Sequence, residues 1–311
     1  RLQVEHPVTE AITGLDLVDL QLEIAEGASV PAMPEMTGAA IEVRLYAEDP
    51  AENYAPQTGT LQAFSMEEAP GIRVDTGVAE GSEVGIHYDP MMAKIVAQGR
   101  NREEARNRLI RALERLCILG IRSNQTQLLG ILRHADFESG DFHTGWLSEQ
   151  QIPAPAADSK AAIAALCHSL QKERNILPTI ARGWRNSRFR PEHFQAGEVV
   201  LGWQPEAGGW RITCGEEETH VRFTASSDGG VLERDGLREE VQIAETPEGY
   251  WVWFSEAASF LPKVSRFPEA QAQAATGDCL ASTPGKVIQI AVAIGQAVES
   301  GESLLTLEAM K

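Results

Sequence analysis

No apolar run in the 311 residues approaches the roughly 18 consecutive positions that a membrane-crossing helix needs. Basic residues are scarce. Twenty-seven lysines and arginines stand against 45 aspartates and glutamates, and the resulting net charge of −18 repels nucleic acid phosphates and anionic lipid. Neither nucleic acid nor a membrane is an expected partner. The four cysteines, Cys117, Cys167, Cys214 and Cys279, have no CxxC or CxxH spacing, so neither a zinc site nor a disulfide framework is signalled, and a reducing compartment fits. A charged-then-apolar leader is also missing. The chain opens on Arg1 within a patterned segment and stops at Lys311 directly after a strand-like run, which reads as the interior of a longer polypeptide.

The 43% of hydrophobic residues can fill compact cores, and the length suits two or three domains at about 150 residues each. The alternation of Arg1, Leu2, Gln3, Val4 and Glu5 predicts a strand that ends at Pro7 and turns Arg1, Gln3 and Glu5 to one face. A helix is expected from Asp16 to Glu26, with Asp16 as cap and Leu17, Leu20 and Ile24 as its stripe. Ile41 to Tyr46 alternates again and places Arg44 on one face with Glu42 and Tyr46. Strands are expected at 60–64, 72–75 and 94–98, and helices at 101–119 and 128–134, which together make an α+β unit.

The stretch from Gln150 to Asp158 reads as a linker. After it come a helix over 161–172 and six short strands between Val199 and Phe254, an antiparallel barrel around one helix. Trp203, Trp210, Trp251 and Trp253 lie in this part and are expected in its core or on strand faces. A second linker, 268–276, precedes a small all-β module whose last strand runs into Glu308, Ala309, Met310 and Lys311.

Two resemblances arise from these motifs. Behind Pro284, Gly285, Lys286 and Val287 and two glycine turns, the Glu308-Ala309-Met310-Lys311 tip resembles that of a biotinyl domain, which implies that Lys311 carries biotin. A lipoyl domain is the rival, and Glu308 and Met310 favour biotin. The opening Arg1-Leu2-Gln3-Val4-Glu5-His6-Pro7 resembles the biotin carboxylase signature. That resemblance implies that Arg1, Gln3 and the Val4 backbone bind bicarbonate and that Glu5 is the general base. The stretch around Arg44 is similar to the one whose arginine stabilises the enolate of biotin, a role that suits a permanently charged guanidinium. His87 to Lys94 also resembles a stretch of that family and is assigned to structure; His6 and His87 are expected to pack or hydrogen-bond rather than to bind ligands.

The implied fold class is multidomain α+β. It comprises the C-terminal part of a biotin carboxylase domain of ATP-grasp type (1–150), a helix plus antiparallel β-barrel subunit-docking domain (151–267), a linker (268–276) and a truncated all-β biotinyl domain (277–311). The order matches the biotin-bearing α subunits of acyl-CoA carboxylases, with the methylcrotonyl-CoA branch most similar and the geranyl-, propionyl- and acetyl-CoA branches as alternatives. Ser282, Thr283 and Pro284 stand where a methionine is common in that family. The resemblance implies ATP-dependent carboxylation of biotin by bicarbonate, with ATP and Mg or Mn held mostly outside this chain and no metal ligand within it. It further implies a carboxyltransferase β subunit that uses acyl-CoA, a biotin protein ligase and a hetero-oligomer, in the bacterial cytoplasm or the mitochondrial matrix. The chain alone is expected to be inactive. A non-catalytic biotin carrier of a decarboxylase would need only Lys311, and the anion-binding set at residues 1–5 argues against it.

Overall fold

The computed structural model describes residues 2–32, 34–150, 152, 159–172, 190–264, 281 and 285–308. Arg1, Lys311 and the linker 268–276 lie outside the described residues, as does nearly all of the linker from Gln150 to Asp158.

The first unit is built on a three-stranded antiparallel sheet in the order Ala39–Tyr46, Met91–Gly99, Ile72–Thr76. One face carries Ile41, Val43, Leu45, Ile95 and Ala97, which pack on Ala105, Leu109 and Leu113 of the helix Arg102–Arg115. Asn101 starts that helix, its side-chain oxygen accepting from the Glu104 amide at 2.9 Å. The expected continuation to residue 119 does not occur. Leu116 leaves the helical region, and the Gln125 side-chain amide donates to the carbonyls of Leu113 and Leu116, both at 2.7 Å, so the helix end is satisfied. Cys117–Leu119 then forms a strand paired with Ala63–Ser65.

The opposite face of the sheet is polar and lies under the helix His6–Thr13. Here the expected strand over residues 1–5 is corrected. Val4 and Glu5 form a turn, and Pro7 sits in the first helical turn, where its missing N–H costs nothing. The next helix, Leu17–Ala25, is capped by Asp16 as expected, with its carboxylate accepting from the amides of Val18 and Asp19. Its stripe is only partly covered, because Leu17 and Leu20 are half-buried while Ile24 is exposed.

The second unit is an eight-stranded antiparallel sheet that follows chain order from Glu192–Ala196 to Ala257–Pro262. It is nearly closed. The end of its first strand bridges Ala196 to Lys263, just past the last strand, beside a 2.9 Å hydrogen bond from the Gly197 amide to the Pro262 carbonyl. Those two edge strands are not among the six expected from sequence. Within the curve sits the helix Ser159–Lys172, whose run from Ala161 to Cys167 is entirely buried against Leu201, Ile212, Val221 and Val252. The four small alanines let the helix approach the strands closely. Trp203, Trp251 and Trp253 are buried and Trp210 packs on the core. Trp251 and Trp253 face the first unit, where they join Cys117 and Leu119 in an apolar seam.

Of the last module, the described residues show two strands, Lys286–Ile290 and Leu305–Glu308, paired antiparallel and exposed on both faces.

Candidate functional site

The polar face of the first sheet gathers the charged groups. Strand residues two apart share a face, so Glu42, Arg44 and Tyr46 point to the same side. The register sets Lys94 opposite Arg44 and Asp75 opposite Lys94, a row of three charges across three strands. In the next row Glu42 and Arg73 flank Val96. The segment from Gln3 to Thr13 closes over this face. Arg44 Nη2 donates to Glu5 Oε2 at 2.8 Å, and Lys94 Nζ donates to the Val4 carbonyl at 3.3 Å while lying 3.5 Å from Asp75. Arg73 donates to Glu10 at 2.7 Å and to both oxygens of Asp75 at 2.8 and 3.0 Å.

These contacts pin the turn that carries Glu5 to the strand that carries Arg44, although 39 positions separate them. His6 contributes from the side, its Nδ1 lying 2.8 Å from the Gln3 carbonyl oxygen, which agrees with the hydrogen-bonding role expected of it. Glu5, Val4 and Arg44 are thus neighbours, though not for the local reason expected from the alternation. A turn and a helix start bring them there, not a strand face. Gln3 is exposed at the same turn. Lys94, assigned to structure from sequence, reaches the site; a charged residue within an otherwise apolar strand was the available signal.

The electrostatics of the face follow from burial and pairing. Burial raises the pKa of Asp75, but the hydrogen bond from Arg73 and the charges of Arg73 and Lys94 outweigh it and hold the carboxyl below the usual range. Arg73 is held above its ordinary value by its hydrogen bonds to Asp75 and Glu10. Partial burial works against the Arg44 cation, yet the Tyr46 hydroxyl and the Glu5 and Glu42 carboxylates beside it raise its pKa. Glu42 goes the other way from Asp75. Burial pushes its carboxyl up, against the charges of Lys94, Arg44 and His6 and with that of Glu5.

The Arg44 and Glu5 side chains are 40% and 54% exposed, so the pair is open to a small anion or a planar polar ring. A fixed cation next to a carboxylate suits that use, since one group attracts negative charge and the other accepts a proton. Among the described residues no group of three or more His, Cys, Asp or Glu side chains could hold a metal ion. A cavity of about 650 Å³ lies elsewhere, between the two units, and is lined by Tyr54, Arg122, Trp251 and Phe260 among others. No helix among the described residues is long and apolar enough to cross a membrane.

Residues 42–149 match the biotin carboxylase C-terminal domain, and residues 1–33 match the carbamoyl-phosphate synthase L chain, ATP binding domain. Over its whole length the chain is 29% identical to the mitochondrial methylcrotonoyl-CoA carboxylase subunit alpha of Mus musculus, of which it covers 48%. It is 31% identical to the mitochondrial propionyl-CoA carboxylase alpha chain of the same organism, of which it covers 47%. The chain thus spans about half the length of the curated relatives it matches. A structure of Rhizobium etli pyruvate carboxylase superimposes with a TM-score of 0.51 at 31% identity, covering 54% of this chain and 17% of that one. Glu5 lies in one matched region and Arg44 in the other, and over its whole length the chain is similar to the alpha subunits of acyl-CoA carboxylases.

Proposed function

We propose that this chain is the part of a biotin-bearing acyl-CoA carboxylase α subunit that activates bicarbonate and faces biotin. The observation that carries the proposal is the Glu5–Arg44 pair, a proton acceptor and a fixed cation joined at 2.8 Å between the two matched regions. Arg1, Gln3 and the Val4 backbone hold the bicarbonate anion at the turn. Glu5 takes its proton, which makes the anion nucleophilic towards the γ-phosphate of ATP. A protonated Glu5 no longer offers Arg44 a full charge, so the guanidinium is freed to meet the ureido oxygen of biotin. Biotin supplies the nitrogen that accepts the carboxyl group. Lys311 is its attachment point, and the linker 268–276 gives the tether its reach. ATP and Mg or Mn are held outside this chain.

We assign residues 1–150 to the carboxylase domain, 151–267 to subunit docking and 277–311 to the biotinyl domain. The partners are a carboxyltransferase β subunit using acyl-CoA and a biotin protein ligase, in a hetero-oligomer. Methylcrotonyl-CoA is the acyl-CoA assigned to that partner. A second reading with the propionyl group is favoured by the 31% identity to a propionyl-CoA carboxylase alpha chain. A reducing compartment, the bacterial cytoplasm or the mitochondrial matrix, fits either reading, and the relatives named above are mitochondrial.

Fixation of labelled bicarbonate into biotin by the full-length subunit tests the assignment. Glu5→Gln should lower the rate by about 10²–10⁴-fold, the size of a lost general base, while streptavidin still detects biotin on the protein. Undiminished fixation would remove Glu5 from the chemistry, and a panel of acyl-CoAs with the β subunit decides the acyl group.

A further inference from the structure

The face that carries Arg44 holds a second carboxyl for which the scheme above has no use. Glu42 stands two residues before Arg44 on the same strand, diagonal to Lys94 on the next, and so shares their face. Both of its oxygens are buried, and neither has a hydrogen-bond partner among the described residues. Such an arrangement is costly, and it persists here beside two cations that already have other partners. Arg44 is bonded to Glu5, and Lys94 to the Val4 carbonyl and Asp75. Four charged or titratable groups act on Glu42: Lys94 and Arg44 from the sheet, and His6 and Glu5 from the segment above it. Arg44 thus has one carboxylate that grips it and a second in reserve.

We propose that Glu42 is a positioning residue for Arg44, holding the guanidinium in place over the sheet when Glu5 takes the bicarbonate proton and releases it. The proposal rests on the roles given to Glu5 and Arg44 above. Asp75, the other acid on the face, cannot substitute because Arg73 and Lys94 already occupy it. The coupling has the right sign. A neutral Glu5 no longer repels the charge on Glu42, so the anionic form of Glu42 becomes easier to hold as Arg44 is set free.

A double-mutant cycle in the full-length subunit, read by fixation of labelled bicarbonate into free biotin, tests this. Glu42→Gln should lower kcat about tenfold, leave the KM for bicarbonate unchanged, and lose most of its effect when combined with Arg44→Lys. Glu42→Asp should restore part of the rate. Equal factors in the two backgrounds, or no loss at all, would overturn the proposal, because a merely structural role does not depend on what stands at position 44. Should melting show that Glu42→Gln does not fold, the cycle is run with Glu42→Asp, whose smaller loss must likewise vanish beside Arg44→Lys. A wild-type subunit that fixes no label overturns the roles of Glu5 and Arg44 together with that of Glu42, whereas an active wild type with independent variants overturns Glu42 alone.

Discussion

Glu42 in the first sheet and Glu245 in the barrel are both carboxyls partly drawn out of water beside cations, and their pKa values move in opposite directions. Burial is the largest influence on each and raises the pKa in both cases. Glu245 accepts from Lys172 at 2.8 Å and from Lys263 at 2.9 Å, which fastens the end of the helix Ser159–Lys172 to the barrel, and its carboxyl is held below the usual range. Glu42 accepts no hydrogen bond among the described residues and is pushed up. Nearby positive charge alone does not outweigh burial for such an acid; hydrogen bonds to the charged form decide the direction of the shift. The barrel uses its charges to close a scaffold, and the sheet leaves one unsettled beside the groups assigned to chemistry.

The largest test of this contrast is in the scaffold. Leu166 is fully buried between the plug helix and the strands, so Leu166→Ala should cost about 2–5 kcal/mol of stability, seen as a lower urea midpoint in the fluorescence of the barrel tryptophans. Arg44→Met should behave in the reverse manner. Its pair with Glu5 is exposed on both sides, so stability should change by no more than about 1 kcal/mol, while biotin carboxylation by the full-length subunit falls by about 10²–10³-fold.

A smaller effect separates the two acids by pH. A carboxyl with a depressed folded pKa contributes stability above its unfolded value and loses it as pH falls through the folded one; a raised pKa does the opposite. Glu245→Gln should therefore destabilise the protein at neutral pH by about 1 kcal/mol, a difference that disappears in acid. Glu42→Gln should stabilise it at neutral pH, and that gain should also vanish below the ordinary glutamate range. Thermal melting of both variants between acid and neutral pH would check the pair, and a shift of the same sign in both would erase the contrast.

Much of this was legible in the residues. Two-residue alternation located the strand of Arg44 and its shared face with Glu42, and small turns between short alternating runs located most of the barrel. Five residues of alternation at Arg1 to Glu5 misled, because so short a run carries no evidence against a turn and Pro7 suits a helix start as well as a strand end. Cys117–Leu119 was absorbed into the preceding helix for a related reason: three consecutive apolar residues have no period, and the pairing with Ala63–Ser65 that makes them a strand comes from more than fifty positions away. The partnerless state of Glu42 was not legible at all. It depends on where Arg44, Lys94 and Asp75 find their partners, which only the assembled sheet and the helix above it determine.

In the proposed mechanism Glu5 acts on bicarbonate before Arg44 acts on biotin. ADP release by the full-length subunit, measured with and without bicarbonate and with no biotin added, isolates the first of these acts. Stimulation by bicarbonate in the wild type and in Arg44→Met, but not in Glu5→Gln, is the predicted result, and equal stimulation of Glu5→Gln would contradict it.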